Sequence, residues 1–230
     1  MKAVSVVGPS DSGKTSLVER LAPALDERGE VATVKTVHHD IRVDEEGKDT
    51  YRHREAGAGR VVGVTPETRF GFSDVGDKQA AVEEALDDLA DAGYDYVVVE
   101  GGRETTLPKI ATGETDAENV VLRDATETTT QDLLRAVEDA PRRETLGSLI
   151  RRVEESADSP RAGAVATFTG RVREENLDDA RTTRLEYEKY EDVADERMDG
   201  IRKDIEAREG VYEAEMYHET GGVGPEEAAG

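Results

Sequence analysis

A chain of 230 residues with 53 Asp plus Glu against 30 Lys plus Arg has a net charge of −23, and its acids are spread along the whole length rather than gathered in one tail. Such a polyanionic surface repels DNA, RNA and anionic membranes, so neither a nucleic acid nor a membrane is expected as partner. The absence of cysteine excludes disulfides, thiolate metal sites and a catalytic thiol.

Lys2 to Val7 is short, apolar and valine-rich, the pattern of a strand buried on both faces of a parallel sheet. A glycine-rich loop follows, then a helix from about Lys14 to Arg28 with Leu17, Leu21 and Leu25 every four residues, closed by Gly29. Val31 to Val37 reads as a second strand and Thr50 to Ala58 as a short helix. Arg60 to Thr65 and Arg69 to Ser73 alternate like a β-hairpin turning at Pro66 and Glu67. Gln79 to Ala92 is an amphipathic helix presenting Val82, Leu86 and Leu89. Tyr96 to Val99 is again a fully apolar strand, Asn119 to Leu122 a further one, and Thr130 to Glu138 a last helix. Strands alternating with helices predict an α/β domain with a mainly parallel sheet over residues 1–138.

Residues 139–144, with Pro141 among charges, read as a linker, and the pattern then starts afresh. Helices are expected at Leu146 to Ser156 and Val193 to Arg208. Strands are expected at Ala162 to Val172, Arg184 to Glu188 and Val211 to Tyr217, with a polar loop at Glu174 to Thr183. Residues 145–230 are therefore a smaller α+β domain, expected to be incomplete at its C-terminus because a packing helix and pairing strand would normally still follow. No window approaches the roughly 18 apolar residues of a membrane span, and the run from Met1 straight into a strand is read as the start of a soluble, cytoplasmic protein.

Gly8-Pro-Ser-Asp-Ser-Gly-Lys-Thr15 matches G-x-x-x-x-G-K-[ST] between a buried strand and an amphipathic helix, the setting of a nucleotide phosphate loop. Successive amides of Gly8, Ser10, Asp11, Ser12, Gly13, Lys14, Thr15 and Ser16 are expected to cradle phosphate oxygens, helped by the helix N-terminus. Lys14 would reach the terminal phosphates and Thr15 would offer its hydroxyl to magnesium. Glu100, at the C-terminal end of a buried strand, is the expected acid on the metal side. His38, His39 and Asp40 could hold a transition metal or an oxyanion, although adjacent residues on a strand point to opposite faces. No Asn-Lys-x-Asp run reads a guanine edge, so the base stays open. In the second domain Arg173 offers a fork for phosphate or carboxylate and His218 a proton.

These residues carry a resemblance. The phosphate loop, the stretch from Lys35 to Ala58 with His38-His39-Asp40 and Asp49, Val-Glu100-Gly and Pro108-Lys109-Ile110 resemble MobB, the GTP-binding adapter family of molybdopterin-guanine dinucleotide biosynthesis. The resemblance implies a dimeric P-loop protein that binds GTP with Mg2+, hydrolyses it slowly at best and assists the molybdenum cofactor guanylyltransferase. It places His38, His39, Asp40 and Asp49 on a second, shared face. The family usually has an aromatic residue and a lysine where this chain has Gly102 and Arg103.

Gly163-Ala-Val-Ala-Thr-Phe-Thr-Gly170-Arg-Val-Arg173, Leu185-Glu-Tyr-Glu188 and His218 resemble MoaE, the catalytic subunit of molybdopterin synthase. That implies catalytic roles for Arg173 and His218, a cyclic pyranopterin precursor as substrate and molybdopterin as product. The sulfur would come from a small ubiquitin-like partner, as suits a chain without cysteine. The family follows its histidine with arginine, here Glu219, and its catalytic lysines belong beyond Gly230, so no synthase activity is expected of this chain alone. The composition, arginine-rich among its bases and poor in aromatics, resembles that of salt-loving archaea. Two other readings of the P-loop remain open at this point, a metallochaperone loading metal through His38, His39 and Asp40, and a small-molecule kinase.

Overall fold

Ala3 to Val7 are buried without a break, which only a strand covered on both faces allows, and Lys2–Val7 (β1) accordingly forms the centre of a sheet. In the computed structural model, which describes residues 1–37, 43–171, 185–187, 191–218, 221–223 and 228–229, the chain divides into two units. One comprises Lys2–Leu89 and Tyr94–Arg142, the other Met1, Ala90–Gly93 and Arg143–Gly230.

The first unit continues with α1 (Lys14–Asp26), β2 (Val31–Lys35), α2 (Asp49–Glu55), β3 (Arg60–Val64), β4 (Arg69–Ser73) and α3 (Lys78–Ala92). It ends with β5 (Tyr96–Glu100), β6 (Lys109–Ala111), β7 (Val120–Leu122) and α4 (Thr130–Glu138). Five strands form one sheet in the order β2-β5-β1-β6-β7, and all four pairings are parallel. The valines of β1 and β5 suit a strand covered on both sides, since their branched side chains lose little freedom on a pleated surface. One face packs Val4, Val6, Val98 and Ile110 against Leu17, Leu21 and Leu25 of α1 and Leu133, Leu134 and Val137 of α4. Burying a side chain of this size contributes about 1.5–3 kcal/mol, so this seam carries much of the domain's stability. Helix α4 starts where the Thr129 hydroxyl accepts the Asp132 amide. The strand β6 was not expected from the sequence. It is three residues long, enters through Pro108 and has an irregular register towards β7, too short to show a period.

The antiparallel hairpin β3–β4 stands apart from the main sheet and exposes Val62, Val64 and Phe70.

The second unit contains α5 (Leu146–Glu155), a 3-10 turn at Ser159–Arg161, β8 (Gly170–Arg171), β9 (Leu185–Tyr187), α6 (Glu191–Glu206), β10 (Gly221–Val223) and β11 (Ala228–Ala229). Helix α5 opens with a reciprocal cap: the Thr145 hydroxyl accepts the Ser148 amide and the Ser148 hydroxyl accepts the Thr145 amide. β9 pairs with β10 and β8 with β11, both antiparallel. Two expectations fail here. Of the strand expected at Ala162 to Val172, residues 162–169 carry none, and its apolar side chains Val165 and Phe168 are exposed, the latter at 96%. The strand expected at Val211 to Tyr217 is likewise not formed. Side chains hold that segment instead of a ladder: the Ala214 amide donates to Glu206, Arg161 stacks 4.7 Å over the Tyr212 ring, and Arg152 pairs with Glu215. Alternating hydrophobicity marks a chain that can extend, but a strand also needs a neighbour to take its amides and carbonyls.

Candidate functional site

Parallel sheets place the carboxyl ends of their strands on one edge, and ligands bind there where the strand order reverses direction. β1 is that strand, flanked by β5 and β6. The loop leaving it, residues 8–13, turns sharply: Gly8, Asp11 and Gly13 all have positive φ, at 153°, 58° and 86°. A Cβ on Gly8 would lie 2.8 Å from Ser12 Oγ and closer still to Thr112 Oγ1, so only glycine fits. Gly13 is the left-handed N-cap of α1 and makes no side-chain cap, which leaves the first amides of the helix pointing into the loop.

The loop is braced from β6. Thr112, just past that strand, has its hydroxyl 3.2 Å from the Val7 carbonyl and shares a 2.6 Å hydrogen bond with Ser12, whose hydroxyl donates to the Pro9 carbonyl at 2.8 Å. Lys14 folds back onto the loop, donating to the Gly8 carbonyl at 3.1 Å and to the Pro9 carbonyl. Ser10, Asp11, Thr15 and Ser16 are exposed along the rim.

Thr15, on the first turn of α1, donates its hydroxyl to Glu100 Oε1 at 2.9 Å, and Lys35 Nζ lies 3.0 Å from the same oxygen. Thr36 fixes the turn after β5 by accepting the Gly102 amide at 2.9 Å and donating to the Glu100 carbonyl at 3.3 Å. A side chain at Gly101 would strike Thr36 Oγ1. The structure therefore brings Gly8 to Ser16 and Glu100 together, and adds Lys35, Thr36 and Thr112, which no local pattern marked. Their signal is non-local: Lys35 stands opposite Glu100 in the β2–β5 register, and Thr112 reaches a residue a hundred positions earlier.

The loop between Glu100 and β6 hangs on a buried cation. Lys109 is 1% exposed and donates to the carbonyls of Thr105 at 2.6 Å and Leu107 at 3.1 Å. Burial pulls its pKa below the usual lysine value, against the opposing charge of Glu118. The Thr105 hydroxyl donates to the Gly102 carbonyl at 2.7 Å and meets Ser5 Oγ at 3.1 Å, so loop and central strand are tied. Arg103 pairs with Asp116.

Other sequence-marked residues fall elsewhere. Asp49 is the first residue of α2, exposed, with Arg52 3.8 Å away. His38, His39 and Asp40 lie outside the described residues, as does Arg173, and His218 is exposed. Among the described residues no group of three or more histidine and carboxylate side chains is placed to hold a metal ion. None of their helices is long and apolar enough to cross a membrane.

Within the second unit, Glu144 is buried beside Arg152, which lies 2.7 Å from it and bridges to Glu215 at 3.0 Å. Burial alone would raise the Glu144 pKa, but hydrogen bonds from Arg152 and Ser148 outweigh it and hold the carboxyl below its ordinary value.

Comparison with known proteins agrees with both halves. Residues 3–136 match the family described as molybdopterin guanine dinucleotide synthesis protein B, MobB, and residues 144–229 match the MoaE protein family. A probable molybdopterin synthase of Haloferax volcanii is 36% identical over 221 residues, 95% of this chain and 79% of that relative. A putative molybdopterin-guanine dinucleotide biosynthesis adapter protein of Methanocaldococcus jannaschii is 36% identical over 114 residues, 48% of this chain and 46% of that protein. The adapter protein of Haemophilus influenzae is 35% identical over 108 residues, 46% of this chain and 60% of its own length. The chain therefore belongs to the MobB family, as a MobB domain fused to a MoaE domain, and its place is molybdopterin cofactor biosynthesis.

Proposed function

We propose that the first unit binds GTP with Mg2+ at residues Gly8 to Ser16 and Glu100 and turns it over slowly at best, acting as an adapter. The observation that carries this reading is the meeting of Thr15 and Glu100 at 2.9 Å beside a loop only glycine can close. A hydroxyl and a carboxylate oxygen are hard donors that suit Mg2+, which keeps several waters and shares the phosphates. Held by Thr15 and Glu100, such an ion would offset charge on the triphosphate. Lys14 exchanges its Gly8 and Pro9 carbonyl partners for the terminal phosphates, and the loop amides with the α1 N-terminus orient them.

The second unit is assigned to the pyranopterin precursor, with Arg173 gripping phosphate and His218 donating a proton, and to a MoaD-like small sulfur carrier as partner. The segment 139–144 is taken as the linker between domains covering 1–138 and 145–230. A MobA-like guanylyltransferase is the partner of the adapter domain, whose exposed hairpin β3–β4 supports assembly as a homodimer; cytoplasmic residence accords with such partners.

Calorimetry on the intact chain with GTP and Mg2+ at high potassium tests the central claim. Lys14→Ala removes a charge-assisted contact of about 2 kcal/mol and should weaken binding roughly thirtyfold. Unchanged binding in that variant, or no heat with the wild-type chain, overturns it.

A further inference from the structure

The carboxyl ends of β2 and β5 lie in register, with Lys35 directly opposite Glu100. A single oxygen, Glu100 Oε1, accepts the Thr15 hydroxyl at 2.9 Å and lies 3.0 Å from Lys35 Nζ. The two partners of this ion pair differ in their surroundings: the Glu100 side chain is 14% exposed and that of Lys35 is 63% exposed. A largely enclosed carboxylate thus receives its counter-charge from a flexible ammonium on the solvent side. Lys14 does not share this task, because its ammonium is engaged by the Gly8 and Pro9 carbonyls.

Two physical consequences follow. An unpaired carboxylate at the mouth of a phosphate loop would repel an incoming polyphosphate, and the Lys35 charge cancels that repulsion. A divalent cation seated between Thr15 and Glu100 needs the oxygen that Lys35 occupies, and two cations cannot share it at contact distance without strong mutual repulsion. Resting on the phosphate-loop reading above, we infer that Lys35 is a built-in stand-in for the divalent cation, neutralising Glu100 while the metal is away and displaced from it when the metal arrives. Lys35 therefore favours nucleotide in the absence of metal and competes with metal in its presence, two effects of opposite sign from one side chain. A lysine that only stabilised the end of β2 would produce neither.

Lys35→Met keeps the aliphatic stem and removes the charge, and Lys35→Gln serves as a second neutral variant. Calorimetric titration with GTP in EDTA, and titration of Mg2+ at fixed GTP, read the two effects separately. Metal-free GTP affinity should fall about threefold to fivefold, and the half-saturating Mg2+ concentration should fall by a similar factor, the scale of a partly exposed ion pair. Lys35→Arg should keep both wild-type values. An unchanged Mg2+ midpoint in the neutral variants, or a shift to higher Mg2+, overturns the inference. If Lys14→Ala abolishes binding while both neutral variants are silent, only the inference fails. If the wild-type chain takes up no GTP with or without Mg2+, the phosphate-loop reading fails and the inference with it.

Discussion

Lys109 shows how one side chain can organise a loop. Its ammonium is enclosed and satisfies two carbonyls of the segment that joins Glu100 to β6. Replacing it with methionine preserves volume but leaves the Thr105 and Leu107 carbonyls without that donor, at a cost of about 1–3 kcal/mol for each buried group left unsatisfied. Lys109→Met should therefore lower the melting temperature clearly, as followed by circular dichroism, and should also weaken nucleotide binding because the turn holding Gly102 loosens. A variant that melts like the wild type would show that the loop is held by Ser5 and Thr105 instead. The same position shows a limit of reading residues singly: Pro108-Lys109-Ile110 is recognisable as part of a family pattern, whereas the burial of its lysine depends on a fold brought together from a hundred residues.

Among the elements, α4 is fastened at its end as well as along its apolar stripe. Glu138, its last residue, accepts from the Tyr96 hydroxyl at 3.0 Å and lies 3.2 Å from Arg28 and 3.4 Å from Lys2. The Tyr96 hydrogen bond, reinforced by Arg28 and Lys2 against a smaller opposing effect of burial, holds the Glu138 carboxyl below its ordinary pKa. A depressed folded-state value means the contribution to stability is fully present above the unfolded pKa and is lost as the pH falls through the folded one. Glu138→Gln should thus lower the melting temperature near neutral pH and flatten its fall on acidification. Parallel acid limbs for variant and wild type would remove Glu138 from the account.

Legibility divides along similar lines. α1, α3, β5 and α4 were readable because leucines at helical spacing or unbroken valines announce a buried face within one segment. β6 was not, because three residues carry no period, and at residues 162–169 and 211–217 the sequence shows a capacity to extend but not whether a neighbouring strand is there to pair with. In the site, Gly8 to Thr15 is contiguous and so visible, whereas the contribution of Lys35 and Thr112 arises only when β2, β5 and β6 are laid beside one another.

For the whole molecule, charge and the hairpin outside the main sheet set the expectations. A two-stranded hairpin is marginal by itself in water, yet β3–β4 displays Val64 at 77% exposure beside Val62 and Phe70. Arg54 steadies it from α2, pairing with Asp74 at 3.1 Å and lying 5.9 Å from the Phe72 ring centre. If the hairpin forms the proposed homodimer contact, Val64→Glu should convert dimer to monomer in light scattering after size exclusion, without lowering the affinity of the phosphate loop for nucleotide. Retention of the dimer would place the contact elsewhere.

The position of β1 has a consequence for how the protein is made. The middle strand of the sheet is synthesised well before both of its neighbours, since β5 and β6 begin at Tyr96 and Lys109. At a synthesis rate of about 5–20 residues per second, the valines of β1 wait several seconds for the segments that cover their edges. During that interval the growing polypeptide exposes an adhesive apolar strand, and protection falls to its abundant carboxylates, which keep neighbouring nascent chains apart.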